Sequence, residues 1–299
     1  MNGTLRFMLY INYIDFEKAF DSIHHPSLRR ILKAYGFPDK VVNILKDMYA
    51  GNQCCVRHDG QQSEWFKVKT GVRQGCVISP SLFLVVIDWV MRKATGDKPR
   101  GLSWGLTTRL EDCDFADAIV LLSHTHKDMQ QKTTRVDEVA RGVGLKISLQ
   151  KTKIMKLMNR NTAPTRLRGT ELEEVQHFKY LGSYISANSE IEKEVSTRIG
   201  LAAQAFNRLQ NVWKSSALQI HTKLKIYKSN VRSVLLYAAE TWRTNGRIES
   251  CLRGFEGRCL RRILRVRWQQ HVSNEEVRRR RGICGGGKEK TMGLVGPCS

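Results

Sequence analysis

Three separated stretches of this chain carry side chains suited to chemistry on charged oxygen. The first, Tyr13-Ile-Asp-Phe-Glu-Lys-Ala-Phe-Asp21, sets a carboxylate at the end of an apolar run, with an aromatic five residues on. The second, Gly71-Val-Arg-Gln-Gly-Cys-Val-Ile-Ser-Pro80, is rich in turn formers and leads into a helix. The third, Asp114-Phe-Ala-Asp-Ala-Ile-Val-Leu-Leu122, is an acidic turn running into an apolar strand. Carboxylate oxygens are hard donors of the kind that hold divalent cations. Taken singly, an aspartate at a strand end is a cap or turn former. The meaning of Asp15 and Asp117 therefore depends on the elements that carry them.

Those elements are legible from periodicity. Residues 7–14 are β-rich and apolar and predict a buried strand ending at Asp15. Leu28, Ile31, Leu32 and Tyr35 fall at helical spacing after His25-Pro26, with Gly36 as the stop. Pro38 opens a second helix, which ends before Gly51. Asp59-Gly60 between two strand-like stretches predicts a hairpin, and vicinal Cys54 and Cys55 are expected to be buried in a strand there. Ser79-Pro80 is expected to cap a helix whose Leu82, Phe83, Val86, Ile87 and Val90 share one face. Residues 118–122 read as a strand, 127–143 as a helix closed by Gly144, and 145–158 as extended chain. After a loop at 159–168 the pattern turns helical from Ile191, as in a small α-bundle. An Arg-rich helical stretch follows over 247–281, and the end around Gly285-Gly286-Gly287 is expected to fray.

The bulk numbers point to a polyanionic partner. Fifty Lys+Arg against 28 Asp+Glu give a formal charge of +22, and each phosphate neutralised by such a surface releases counterions. An anionic membrane surface or an acidic protein would also be attracted. The hydrophobic fraction of 41% suffices for a core. Eight cysteines form no CxxC pair and no Cys/His array, which argues against a zinc module. The longest apolar run, 82–91, is interrupted by Asp88 and is too short to span a bilayer, and no secretory signal opens the chain. A reducing, intracellular setting without membrane association is the expectation.

Together and in this order, the three stretches resemble motifs A, B and C of the reverse transcriptases, with spacing similar to that of non-LTR (LINE-type) retrotransposons. Gly144-Leu-Lys-Ile-Ser-Leu-Gln-Lys-Thr-Lys153 is similar to motif D, and His177-Phe-Lys-Tyr-Leu-Gly-Ser183 to the primer grip. Glu240-Thr-Trp242 and 261–268 look like segments that follow the thumb. The resemblance implies an α+β polymerase palm, an antiparallel sheet backed by helices, over 1–158 with residual fingers elements. The end of the palm and a primer-grip hairpin would occupy 159–190, a helical thumb 191–243, and a basic helical tail 244–299. It implies Mg2+ as cofactor, with Asp15 and Asp117 as catalytic metal ligands and the Phe16 carbonyl as a further one. Phe20 would screen the sugar 2′ position, or else belong to the core. Arg73, Gln74 and Gly75 would meet nucleotide and template, the alternative being an ordinary tight turn. Lys151 or Lys153 would reach phosphate, unless both are plain surface lysines. Lys179, Tyr180, Leu181 and Gly182 would hold the primer end. The implied partners are an RNA template with a DNA primer, or an RNA–DNA hybrid. Arg261, Arg262, Arg265 and Arg267 would touch phosphates or form a solvated helix face.

Two departures from the family pattern bear on activity. Motif C of the family ends in two adjacent aspartates, but here the second position is Ala118. Asp114 is expected to be no substitute, lying roughly 10 Å from Asp117 along a strand and on its opposite face. The chain also starts about a dozen residues before motif A, where the family carries fingers. An impaired polymerase is therefore expected; a competent polymerase, a non-catalytic nucleic-acid-binding remnant and a reading frame with no selected role remain open.

Overall fold

The computed structural model describes residues 8–96, 100–104, 108–158, 161–187, 191–242, 245–277 and 279. The end expected to fray lies outside them. The chain divides into two compact units, Met1–Leu181 and Gly182–Ser299.

In the first unit, β1 (Leu9–Ile14) leads through a short helix α1 (Ala19–Ser22) to α2 (His25–Ala34) and α3 (Asp39–Tyr49). Two small two-stranded ribbons follow over 53–67, then α4 (Ser79–Thr95) and another ribbon over 102–110. Next come β2 (Asp112–Phe115), β3 (Ala118–Ser123), α5 (His126–Gly142), β4 (Lys153–Leu157), β5 (Glu173–Glu174) and β6 (His177–Tyr180). Five strands form one sheet in the order β5-β4-β1-β3-β2, antiparallel throughout except for the edge pair β4–β5. The apolar strand β1 thus lies at the centre, as its continuous hydrophobicity predicts.

Alternation along β1 and β3 builds the core. Tyr10, Ile14, Ile119, Leu121 and Ile154 join Leu32 of α2, Phe83 and Ile87 of α4, and Met129 and Val136 of α5 in one buried cluster. Each such side chain contributes about 1.5–3 kcal/mol by leaving water. Asn12 is buried in the same layer because its amide donates to Thr133 Oγ1 at 2.8 Å. On the other face Ile11, Tyr13, Val120, Leu122 and Met155 are also buried, and the Tyr13 ring stacks on Phe178 of β6, centroids 4.0 Å apart.

The Asp59-Gly60 hairpin forms: Arg57–His58 pairs with Gln61–Gln62, and both turn residues have positive φ. Several local expectations need correcting. Cys54 is exposed rather than buried, since its two-residue strand pairs only with Phe66–Lys67 in a ribbon that no other strand joins, and Cys55 is half-buried just past that strand. Ser79 is the first residue of α4 and makes no capping bond; the N-cap position is Ile78. Of 145–158, only β4 is strand, because the Thr152 N–H turns back to the Ser148 carbonyl at 3.0 Å.

The second unit contains β7 (Ser183–Ser186), α6 (Ile191–Arg208), α7 (Gln210–Lys214), α8 (Ile220–Tyr227), α9 (Ser233–Leu235) and α10 (Gly246–Ile263). A π-turn over Lys228–Arg232 joins α8 to α9. Val195, Ala202, Phe206, Trp213, Tyr227 and Leu235 make its core, and Leu252, Phe255, Leu260 and Ile263 of α10 complete it. The Arg-rich stretch is therefore amphipathic, with its apolar stripe packed among the preceding helices. No helix among the described residues is long and apolar enough to cross a membrane.

Candidate functional site

Strand register decides where the sequence-predicted carboxylates stand. Ile14 of β1 and Ile119 of β3 are the last pair of an antiparallel ladder, and carrying that register one residue past the strand end sets Asp15 opposite Ala118. Directly opposed residues project to the same face of a sheet. Asp117 lies one step before Ala118, in the two-residue turn Ala116-Asp117 closed by the Phe115–Ala118 pair. Asp15 and Asp117 are thus brought to neighbouring tips of β1 and β3. The acidic segment 114–122 is a hairpin, not a single strand with Asp114 three residues along it. Asp114 pairs with Ile119 and so shares the helix-backed face, whereas Asp15 and Ala118 share the other.

The hairpin tip is a strained construction. Ala116 has φ 57, a left-handed conformation that costs a residue other than glycine about 1–2 kcal/mol. Phe115 beside it is exposed. On the sheet face that Asp15 occupies, the Tyr180 hydroxyl donates to the Ala118 carbonyl at 3.4 Å. Burial, followed by the nearby Cys113 and Asp114, keeps that phenol protonated well above its usual range. On the opposite face, burial first, then the charges of Asp114 and Glu111, push the Asp112 carboxyl up to about 6 against the pull of Lys132.

Asp15 is held from three sides by the segment resembling motif D. Its carbonyl accepts from the Ser148 N–H at 2.9 Å, its own N–H donates to Thr152 Oγ1 at 3.4 Å, and Lys151 Nζ lies 3.3 Å from its carboxylate. Of the two lysines considered, Lys151 reaches the site and Lys153 does not, being paired with Glu173. Phe16 is buried, bridging backbone to backbone with Ile147.

The turn-rich second segment packs against the chain that follows Asp15. Val72 N–H donates to the Phe20 carbonyl at 2.7 Å and Gly71 N–H to the Ile23 carbonyl at 2.8 Å. A Cβ on Gly71 would lie 2.6 Å from the Asp21 Cα, so only glycine fits. Gly144 is trapped similarly against the Ser22 carbonyl. Phe20 is half-buried and stacks on Phe83 at 4.5 Å, the core role that its type allows. Arg73 is committed to the end of α3, donating to the Met48 carbonyl at 2.8 Å and to Asn52. Gln74 donates to Asp21 Oδ1 at 3.1 Å, whereas Gly75 has open space around it.

Sequence reasoning gave no role to Asp21, Ser148 or Thr152, although these residues tie the A, B and D segments together. Their signal was position alone, inside or beside the quoted motifs. Cys76 is a further such residue: N–H groups at the start of α4, that of Ile78 foremost, lower its thiol below the usual range.

The donor chemistry suits a hard divalent cation, but the set is short. Asp15 and Asp117 offer carboxylate oxygens and Ala118 offers none. Among the described residues no group of three His, Cys, Asp or Glu is arranged to hold a metal.

Residues 8–185 match the family model of reverse transcriptases (RNA-dependent DNA polymerases). The chain belongs to that family. Within it, this reverse transcriptase domain is of the LINE type. It is 33% identical over 142 residues to the Pol polyprotein of the type-2 retrotransposable element R2DM of Drosophila melanogaster, covering 48% of this chain and 13% of that protein. It is 22% identical over 278 residues to the RNA-directed DNA polymerase from mobile element jockey of Drosophila funebris, covering 88% of this chain and 29% of that one. The chain thus spans less than a third of the length of either relative. A telomerase from Candida albicans is similar with a TM-score of 0.48 and 12% identity, over 90% of this chain and 49% of its own. Residues 205–237 match a domain of unknown function, DUF6451.

Neither unit leaves all its arginines free for a partner. In the second unit, Arg261 donates to the Val272 carbonyl and Asn274, and Arg265 to the carbonyls of Lys214 and Ser215. Arg262 stands over the Phe206 ring, and Arg267 is exposed.

Proposed function

We propose that this chain binds an RNA template with a DNA primer, or an RNA–DNA hybrid, and that its RNA-directed DNA polymerase chemistry is impaired. The observation that carries the impairment is position 118: straight across from Asp15, where the family's second motif-C aspartate belongs, there is a methyl group. Two Mg2+ ions in such a site supply Lewis acidity to the primer hydroxyl and the triphosphate. Holding that much charge takes more carboxylate than Asp15 and Asp117 provide. Even changes to groups behind metal ligands cost about 10–100-fold, and loss of a ligand costs more.

The remaining residues retain binding roles in this reading. Gly75 lets a template backbone approach closely. Phe20, braced by Phe83, meets a sugar edge. Lys151 compensates Asp15 and offers its ammonium to phosphate. Lys179, Tyr180, Leu181 and Gly182 contact the primer end. Exposed lysines and arginines supply the salt-dependent attraction expected of a formal +22.

A non-catalytic nucleic-acid-binding role is favoured by one observation, the Lys151–Asp15 pair, which balances the carboxylate without a metal. Primer extension on an RNA template with Mg2+ separates the readings. The chain as it stands is expected to give no product, and Ala118→Asp to give some. Extension by the unaltered chain would overturn the impairment. Hybrid binding that survives both Asp15→Ala and Asp117→Ala, with Ala118→Asp still silent, would establish the non-catalytic role instead.

A further inference from the structure

At the start of α6 two ionised side chains are almost wholly buried, Glu194 and Arg198, one helical turn apart. Arg198 Nε donates to Glu194 Oε1 at 2.6 Å. A buried ion pair is a poor way to stabilise a helix, because desolvation offsets most of the attraction and apolar residues of equal volume serve as well. This pair does something apolar residues cannot. Glu194 accepts from Ser183 Oγ at 3.2 Å and from the Tyr184 N–H at 2.9 Å, and Arg198 donates to the Gly182 carbonyl. The Tyr237 ring lies 4.5 Å from the Arg198 guanidinium carbon, and a Cβ on Gly182 would come 3.5 Å from that ring. Gly182 itself is held at φ 83.

We infer that Glu194 and Arg198 are positioning residues, which fix the Gly182–Tyr184 segment in one shape so that it can receive the 3′ end of a primer strand. The inference rests on the primer-end reading given above for Lys179–Gly182. Because the two charges cancel, the segment presents backbone groups and the exposed Tyr184 ring rather than net charge. Its contribution to binding is therefore specific for a strand end and independent of salt, unlike the phosphate contacts elsewhere.

Fluorescence anisotropy with two RNA–DNA hybrids, one with a recessed DNA 3′ end and one blunt, titrated at several KCl concentrations, tests this. The unaltered chain is expected to bind the recessed hybrid more tightly. Glu194→Gln and Arg198→Lys should each cut that preference about fivefold, the loss of about one hydrogen bond, leaving blunt-end affinity and salt slope unchanged. Ser183→Ala, which leaves the buried pair intact, should cut it about twofold and decides the matter if circular dichroism shows the others unfolded. A preference unaltered in every folded variant, or an equal fall on both hybrids, would overturn the positioning role. If the unaltered chain binds both hybrids alike in a salt-sensitive way, the primer-end reading itself falls, and this inference with it.

Discussion

Replacing Ala118 by aspartate sets a second carboxylate directly across from Asp15. The Cβ atoms of opposed antiparallel residues lie about 4.5–5.5 Å apart. Two unit charges at about 5 Å repel by about 1 kcal/mol in water and about 3 kcal/mol at an effective dielectric of 20. The Asp15 side chain is 45% exposed and has Lys151 at 3.3 Å, so the cost falls near the lower figure. For a unit of this size, about 1 kcal/mol lowers the melting temperature by about 2–4 °C. The same pair of carboxylates forms a better cation site, and an ion at ten times its dissociation constant returns about 1.4 kcal/mol. Thermal unfolding in EDTA and in a MgCl2 series is the assay. Ala118→Asp should melt below the parent in EDTA and overtake its deficit as Mg2+ rises, while the parent responds weakly. Identical Mg2+ responses in the two proteins would refute the register-based placement of residue 118 against Asp15.

Four other outcomes follow from the geometry. The folded Asp112 carboxyl titrates at about 6 against an ordinary 3.8, so the folded state holds its proton more tightly. The associated stability is full below pH 4 and is lost as pH rises through 6. Asp112→Asn should therefore stabilise the chain at pH 7 by about 1–2 kcal/mol, allowing for solvent screening, and flatten this part of the pH–melting profile. Gly71→Ala, with backbone 2.6 Å from the new Cβ and φ 88, should leave little soluble protein. Gly75→Ala, with no neighbour within 4 Å, should cost only about 1 kcal/mol of backbone strain, read by chemical denaturation. Asp137 accepts from Arg168 through both its oxygens and is buried; Asp137→Ala should cost about 1–3 kcal/mol by removing charge-assisted hydrogen bonds from a partly exposed guanidinium.

The A, B and D segments and the helices around them were readable because residue type and spacing act locally. An apolar run ending in Asp15, glycine stops at Gly36 and Gly144, and Asp59-Gly60 each express a rule of short range. The turn itself was readable from its acidic residues, but the left-handed tip was not, since alanine is no favoured turn former and tertiary pairing imposes φ 57 on Ala116. Nor was the contact of Gln74 with Asp21, or of Arg73 with the end of α3, because side chains that could meet solvent or ligand leave no periodic trace. The exposure of Cys54 was missed because strand propensity says nothing about what lies behind the strand.

Among the described residues, three lysines have their heads inside the protein. Lys132 donates to the carbonyls of Glu111 and Leu122, Lys156 to those of Asn161 and Ala163, and Lys223 to those of Trp213 and Ser215. Retention on heparin should accordingly fall short of what amino-acid composition suggests, and amine-reactive labels should modify these three last. Isoelectric bookkeeping overstates the field that an approaching polynucleotide would meet.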